Sequence, residues 1–485
     1  MSQTLIARQQ SVLLTVLCLT FHSIRCEDSY TNKDGSIYTP KTTFKNIIES
    51  VDKSNYVVYE ESNLDHDDIP ILLWWTPNLY PYIAVDKKWI VIQCGEAVCY
   101  STKRRELLHH EQTRGILFYA TDISVADLPL RRTEKHEWAV FHEESPFNLY
   151  MLSHSPFMSL FNHTATFRRE SDFPLTTQNI YTAEFLTEKL PIPLATKNEA
   201  KTKTGLAPIL YVQSHCDVPS DRDRYIKELM KYIKIDSYGV CLHNKDLPEH
   251  LQEPAENFEK DEFLELISIY KFHLAFENAI CKDYMTEKLM RPLHIGVVPI
   301  YKGSPNAKDW MPNNHSIILV DDFETPKQLA EFIDYLDKND EEYKKYISFK
   351  QTGITNEFLL NHLSQRNWEV NEQDSMDYFK GFECHVCKKL NERMEAERAH
   401  SNNPSVPLVP PRMANNSHLG CPQPYPSLGD VTDILKNDSW NQMAWVDDYW
   451  NGLDDAYAVR NMVESGEEDS SKFIKYYHKH IRSRS

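Results

Sequence analysis

Residues 69–75, 115–120, 137–141, 207–213, 272–276, 297–301 and 317–320 are short, mostly apolar runs between polar stretches, and 149–154 and 157–161 continue the pattern. Runs of that length predict buried strands. Between the later ones the apolar positions change period. Tyr225, Leu229, Met230 and Ile233 within 221–233 have helical spacing, as do 263–269 and 325–336, the last headed by Thr325-Pro326. Strands alternating with helices predict an α/β chain.

The clearest unit is 270–303, YKFHLAFENAICKDYMTEKLMRPLHIGVVPIYKG. A strand over 272–276 runs into a polar turn holding Glu277, Asn278, Asp283 and Tyr284. Thr286 is placed as an N-cap and Glu287 as a first-turn acid. Leu289, Met290 and Leu293 form the apolar side of a helix that Gly296 ends. The polar residues thus gather at the carboxyl end of a strand and the N-terminus of a helix. There α/β sheets bind ligands and a phosphate meets backbone N–H groups. Lys288 is available for a diphosphate.

At 485 residues the chain is long for one core, which predicts two domains with extensions. Residues 1–26 hold Arg8, ten mostly apolar residues at 12–21, then His22 and Arg25. A membrane span needs about 20 apolar residues, so this reads as a signal peptide or, uncleaved, as the short signal anchor of a type II membrane protein. Residues 27–68 are polar and acidic, a stem or linker. An N-terminal α/β domain over 69–196 and a nucleotide-binding α/β domain over 207–380 follow, with KNEAKTKTGL at 197–206 as the linker between them. Residues 381–485 form a C-terminal extension: CHVC at 384–387, a charged helix-like run to His400, a proline-rich stretch from Pro404 to Pro426, then Trp440, Trp445 and Trp450. Three tryptophans so close together imply that part of this extension packs onto something.

A hydrophobic share of 41% with 12% aromatics excludes wholesale disorder, and a net charge of −18 argues against a nucleic-acid partner. Eight cysteines lie beyond Cys26. In an oxidising compartment several should pair, and Cys94 with Cys99 and Cys384 with Cys387 are the local candidates. Glycosylation sequons stand at Asn162, Asn314, Asn415 and Asn437. Together with the N-terminal segment they place the chain in the secretory lumen, endoplasmic reticulum or Golgi. His109, His110, His136 and His142 lack a matching Cys/Asp spacing and read as satisfied loop histidines. CHVC lacks the strand–helix context of a redox motif, which favours a structural disulfide.

The run FHLAFENAICKDYMTEKLMRPLHIGVVPIYKGSP, followed by DWMP and SIILVDDF, resembles the donor-binding half of the α1,3-fucosyltransferases, glycosyltransferase family 10. A weaker likeness covers 70–380. Ala279 stands where the family has serine, and Met290 departs from a nearby aromatic. The resemblance implies a GT-B fold, two Rossmann-like domains facing a central cleft, with GDP-fucose as donor substrate and no essential cofactor or metal; Asp321-Asp322, which resembles a metal-binding acidic pair, lies beyond the donor motif. Carried onto matching positions, Lys288 and Arg222 would neutralise the diphosphate. Leaving GDP gains negative charge as its bond breaks, so cations there favour the transition state. Arg222 in SDRDRYI is preferred to Arg224. Glu287 and Tyr284 would hold ribose and guanosine, with Asn278 in support.

HEESPFN at 142–148 is similar to the family's Glu-Ser-Pro element, which makes Glu144, supplied by the first domain, the general base. On the residues alone Glu143 and Glu144 read rather as solvated acids at a strand end, since exposed acids are common; the resemblance turns the reading to Glu144 as base. C-terminally extended members resemble an outlying branch regarded as endoplasmic reticulum protein O-fucosyltransferases acting on EMI domains. The expected activity is therefore inverting transfer of L-fucose from GDP-β-L-fucose, in α-linkage, to Ser or Thr of a folded disulfide-containing protein domain. GlcNAc of an N-glycan is the alternative acceptor, and a non-catalytic GDP-sugar-dependent chaperone the alternative of another class.

Overall fold

The computed structural model describes residues 56–59, 69–81, 89–252, 260–366, 368, 371–372, 375–376, 378–408, 410–429 and 445–484. Residues 1–26, most of 27–68, Asn437 and Trp440 lie outside them. Among the described residues no helix is long and apolar enough to cross a membrane. The described residues fall into two compact units, those within 1–123, 133–139 and 367–411, and those within 124–132, 140–366 and 412–485. The division expected at 197–206 is therefore not the one the contacts make.

The first unit holds strands β1 (Tyr56–Tyr59), β2 (Ile71–Trp74), β3 (Ile90–Cys94), β4 (Ala97–Thr102) and β5 (Thr113–Tyr119), ordered β1-β3-β4-β2-β5. β3 and β4 are an antiparallel hairpin turning at Gly95, whose φ of +68° favours glycine. β4, β2 and β5 run parallel. All of β2 is buried, as a strand covered on both faces must be. One cover is the helix Tyr378–Asn402. A Cβ on Gly115 of β5 would stand 2.7 Å from Leu72 Cδ2 of β2 and 3.0 Å from Leu390 Cδ1, so this helix lies directly on β5 where it pairs with β2. Buried Glu383 accepts hydrogen bonds from Trp74 Nε1 (2.9 Å) and from Ser101 Oγ.

The cysteines of this unit pair crosswise, Cys94 with Cys384 and Cys99 with Cys387. The local pairs Cys94–Cys99 and Cys384–Cys387 do not form. In the hairpin Cys94 pairs with Ala97 and Cys99 with Ile92, which sets the two strand cysteines apart. Cys384 and Cys387 are one helical turn apart on the buried side of their helix, and each meets a strand cysteine at a Cα separation of 5.3 or 5.9 Å, within the normal range.

The chain passes from the first unit to the second within β6 (Glu137–His142). The second unit contains β7 (His163–Thr166) and a parallel sheet of β8 (Ile209–Tyr211), β9 (Ile235–Ser237), β10 (Phe272–Phe276), β11 (Val298–Lys302) and β12 (Ile318–Leu319), ordered β12-β11-β10-β8-β9. Helices Arg222–Leu229, Asp261–Ser268, Glu287–Ile295 and Pro326–Lys338 accompany these strands. From β8 the chain goes to one side for β9 and to the other for β10, so β8 and β10 flank the switch point where such sheets bind ligands. Each unit thus has the mixed α/β make-up with parallel strands that a GT-B protein requires.

Two expected segments differ. The polar stretch at 197–206 lies mostly in the helix Leu194–Thr204, built of good helix formers such as Ala, Lys and Glu and closed by Gly205 at φ +71°. Its Lys197 is buried, with Nζ donating to Tyr270 O at 2.9 Å. Residues 149–161 are not strands but a 3-10 turn, Tyr150–Ser153, and a short helix, Ser155–Met158, with Pro156 in its first turn. The extension divides between the units. After the long helix, residues 412–429 and the helices Trp445–Glu464 and Phe473–Arg484 belong to the second unit. There a Cβ on Gly452 would stand 2.6 Å from Tyr150 Cβ, His154 Nε2 meets Tyr449 O at 2.8 Å, and Trp445 is buried while Trp450 is half exposed.

Candidate active site

The loop after β10 is clamped at three points. Glu277, fully buried, accepts from Thr286 N and Thr286 Oγ1, both at 2.8 Å, which folds the loop back onto the helix start. Asp283 sits at φ +63°, a conformation Asp tolerates better than most residues, and is buried. It accepts from Arg169 Nε (2.9 Å) and Nη2 (2.7 Å), Asn306 Nδ2 (2.6 Å) and Trp310 Nε1 (2.9 Å). Burial works to raise its carboxyl, but Arg169 and the other donors outweigh it and hold it below the usual range. The disulfide Cys281–Cys421 is the third clamp.

At the helix N-terminus Thr286 Oγ1 accepts from Lys288 N at 3.3 Å, the expected cap. Lys288 Nζ lies 3.1 Å from Thr286 Oγ1, 3.1 Å from Glu287 Oε1 and 3.7 Å from Glu277 Oε2. Burial disfavours its charge, yet the neighbouring carboxylates Glu287, Glu277 and Glu144 raise it above the ordinary lysine value. Burial also works to raise Glu287, and Lys288 with Arg291 overcomes this, holding it at about 2. For Glu277 burial wins, pushing the carboxyl up to about 7 against the pull of Lys288. The corner is therefore a cationic ammonium between an ionised acid and a half-titrated one, at a helix N-terminus that favours anions.

Arg222 is buried at the switch point, donating Nη1 to Phe276 O (2.8 Å) and Nη2 to His215 O (2.6 Å). It joins the end of β10 to the loop after β8. Its Nε, and nearby Asn278 Oδ1, are buried polar atoms without a partner among the described residues. Asn278 O accepts from Ser220 N at 2.9 Å. The unspent Arg222 Nε–H is a donor that suits an anionic oxygen, and Asn278 Oδ1 is an acceptor that suits a hydroxyl or N–H of a ligand. Arg224 instead pairs with Asp221.

Glu144 falls in the second unit, the same unit as Arg222, Tyr284 and Lys288, rather than in a separate first domain. Its Oε2 accepts from Tyr284 Oη at 2.9 Å. Tyr284 is buried, and burial followed by the charge of Glu144 raises its phenol well above the ordinary value, so it stays a donor. Tyr284 thus spends its hydroxyl on Glu144. The preceding His142 is fully buried with Nε2 3.2 Å from Ser145 O, and burial lowers it to about 4, so a neutral ring braces the turn that presents Glu144.

Glu277 and Asp283 were visible only as members of a polar turn. The signals that mark them are the position of Glu277 directly after an apolar strand and of Asp283 where a left-handed turn suits Asp. Of the sequons, Asn314 and Asn415 are exposed, whereas Asn162 is buried with Nδ2 donating to Arg412 O at 2.9 Å. That buried amide leaves no room for a glycan in the folded chain. Asp321 and Asp322 pair with Lys302 (2.8 Å) and Lys308 (3.2 Å). Among the described residues, the one His/Cys/Asp/Glu group tight enough for a metal is Cys216, Asp223 and Cys241, and its cysteines are joined in a disulfide.

Residues 198–403 match the family described as glycosyltransferase family 10 (fucosyltransferase) C-term, and 66–178 match fucosyltransferase, N-terminal. The C-terminal match takes in the helix Tyr378–Asn402, so the first part of the extension lies inside the family core. The chain is 44% identical over 403 residues to a GDP-fucose protein O-fucosyltransferase 3 of Gallus gallus, covering 82% of this chain and 81% of that one. To the Homo sapiens protein of that name it is 43% identical over 412 residues, covering 84% and 82%. An α1,3-fucosyltransferase crystallised with GDP-fucose aligns at a TM-score of 0.35 and 16% identity, covering 68% of this chain and 98% of that one.

Proposed function

This chain belongs to glycosyltransferase family 10, the fucosyltransferases, and from that premise we propose that it transfers L-fucose from GDP-β-L-fucose to a hydroxyl of a protein, with inversion to the α-linkage. In this reading the acceptor oxygen attacks C1 of fucose, the bond to the diphosphate oxygen breaks with its electron pair, and Glu144 takes the acceptor proton. Lys288, at the helix N-terminus, meets the charge that grows on departing GDP, and Arg222 adds a buried positive charge behind it. Glu287 and Asn278 take the ribose and guanosine side. Tyr284 holds the Glu144 carboxylate so that its lone pair faces the acceptor.

The observation that carries this reading is the hydrogen bond from Tyr284 to Glu144. It sets the one carboxylate of the Glu-Ser-Pro turn at the same loop–helix corner as Lys288. The names of the relatives support GDP-fucose and a protein acceptor. The four disulfides among the described residues support an oxidising, secretory lumen. A Ser or Thr on a folded disulfide-containing domain of the EMI type is the acceptor we infer.

Residues 27–485 incubated with GDP-fucose and either a folded EMI domain or an N-glycan panel, followed by mass spectrometry, test this directly. Fucose is expected on Ser or Thr of the protein; fucose on glycans alone would transfer the assignment to GlcNAc. Glu144→Gln is expected to lower kcat by about 10²–10⁴ while leaving GDP affinity within about threefold. Lys288→Ala is expected to weaken GDP binding at least about tenfold. A Glu144→Gln enzyme as fast as the native one removes Glu144 as the base.

A further inference from the structure

We infer that Asp221 and Ser427 are positioning residues for the donor: the C-terminal extension reaches through Ser427 to Asp221 and locks the turn that presents Arg222. The inference rests on the reading above in which Arg222 and Asn278 meet GDP. Asp221 is the residue before the helix Arg222–Leu229 and stands at φ +53°. A left-handed backbone at a residue other than glycine persists only where its surroundings hold it. The side chain does not cap the helix. It turns instead to the extension: Asp221 Oδ2 accepts from Ser427 N at 2.8 Å and Ser427 Oγ at 2.9 Å, and from Arg224 Nε at 2.8 Å. Asp221 is only 7% exposed, so its carboxylate depends on these donors.

The neighbours of Asp221 on both sides are spent on the loop after β10. Ser220 N donates to Asn278 O at 2.9 Å and Ser220 Oγ to Glu277 O at 2.6 Å. On the other side Arg222 gives Nη1 to Phe276 O and Nη2 to His215 O, which leaves Nε for a ligand oxygen. The place of that Nε is therefore set by the backbone of 220–222, and Asp221 is the residue of this stretch whose side chain is tied to the extension.

The extension is anchored well enough to be the fixed end. Ala414 N donates to Phe161 O at 2.8 Å, Thr166 Oγ1 of β7 donates to His418 O, and Gly420 O accepts from Arg168 Nη1 at 3.2 Å. Cys421 then bonds to Cys281, and Leu428, next to Ser427, packs on the apolar core that includes Tyr225 and Leu229. All of these residues belong to the second unit. Residues 412–428 lie beyond both family matches, which end at 178 and 403, so the lock on Asp221 comes from outside the matched core.

The test uses residues 27–485, with GDP affinity read by calorimetry and with kcat and the KM of each substrate read by transfer to the protein acceptor. Asp221→Gly suits the left-handed backbone and removes the carboxylate, so it separates the lock from the strain. It should weaken GDP binding and raise the GDP-fucose KM at least about tenfold, with acceptor KM within about twofold. Asp221→Asn, which still offers an oxygen, should stay within about twofold of native. Ser427→Ala removes one of the two bonds and should weaken GDP binding about threefold, and Ser427→Thr should restore it. Ser427→Ala should add nothing on top of Asp221→Gly. Native GDP affinity in Asp221→Gly or in Ser427→Ala overturns the inference, as do losses that add in the double variant or an acceptor KM that rises in step with the donor KM. Native GDP affinity in Arg222→Ala overturns the donor reading itself, a result that the Asp221 and Ser427 variants cannot mimic.

Discussion

Glu277 shows how a single buried side chain governs the loop–helix corner around Lys288. Its carboxyl receives two hydrogen bonds from Thr286 and lies 3.7 Å from the Lys288 ammonium, yet burial still pushes it from its ordinary 4.5 up to about 7. The fold therefore prefers the neutral acid. Its contribution to stability is full below about pH 4.5 and is lost as pH rises towards 7, a change on the order of 3 kcal/mol. Compared with Glu277→Gln in urea titrations across pH 4.5–7.5, the native chain is expected to lose its relative stability steadily over that range. A pH-independent difference would sink the assignment. The position of Lys288 at a helix start was legible in the residue pattern, whereas Glu144 was singled out by the family resemblance and not by its own surroundings in the sequence. The role of Glu277 was not, because its burial is produced by a partner nine residues away and by the sheet beneath it.

The helix Glu287–Ile295 carries its own start and stop in sequence, Thr286 as cap and Gly296 at φ +70° as terminator, and both stand where the pattern put them. The cap has a second task, since Thr286 Oγ1 donates to Glu277 Oε2 while accepting from Lys288 N. Thr286→Val removes both bonds and keeps the shape. The expected cost is about 1–2 kcal/mol, mostly local. Hydrogen exchange at Lys288 and Leu289 should speed up about five- to thirtyfold, with GDP binding weakened several-fold because Lys288 loses its anchor. Unchanged exchange at these amides would show that the cap is idle. The neighbouring Leu194–Thr204 helix was illegible for a physical reason. It buries little beyond Lys197, so no apolar stripe marks it, and only its helix-forming composition and Gly205 betray it.

At the scale of the chain, the alternation of strands and helices was readable, and the long-range covalent links were not. Four cysteines in two close pairs permit three connectivities, and the one adopted depends on hairpin register and helix face. It also has consequences that the local pairs would lack. Cys94–Cys384 and Cys99–Cys387 each close a loop of 290 or 288 residues, and the two loops are nearly the same loop. In the chain-entropy account the first closure restrains the unfolded chain by about 5–6 kcal/mol, and the second, closing only the short spans between neighbouring cysteines, adds about 3. Either bond alone therefore already holds the long loop. Replacing Cys99 and Cys387 by Ala, or Cys94 and Cys384, is expected to cost about 3 kcal/mol, and replacing all four about 8, more than the two costs together. Unfolding free energies from urea titrations of the three variants measure this coupling. If the two costs simply add, the bonds act through native-state contacts on the helix Tyr378–Asn402, and the shared-loop explanation for placing both on one helical turn fails.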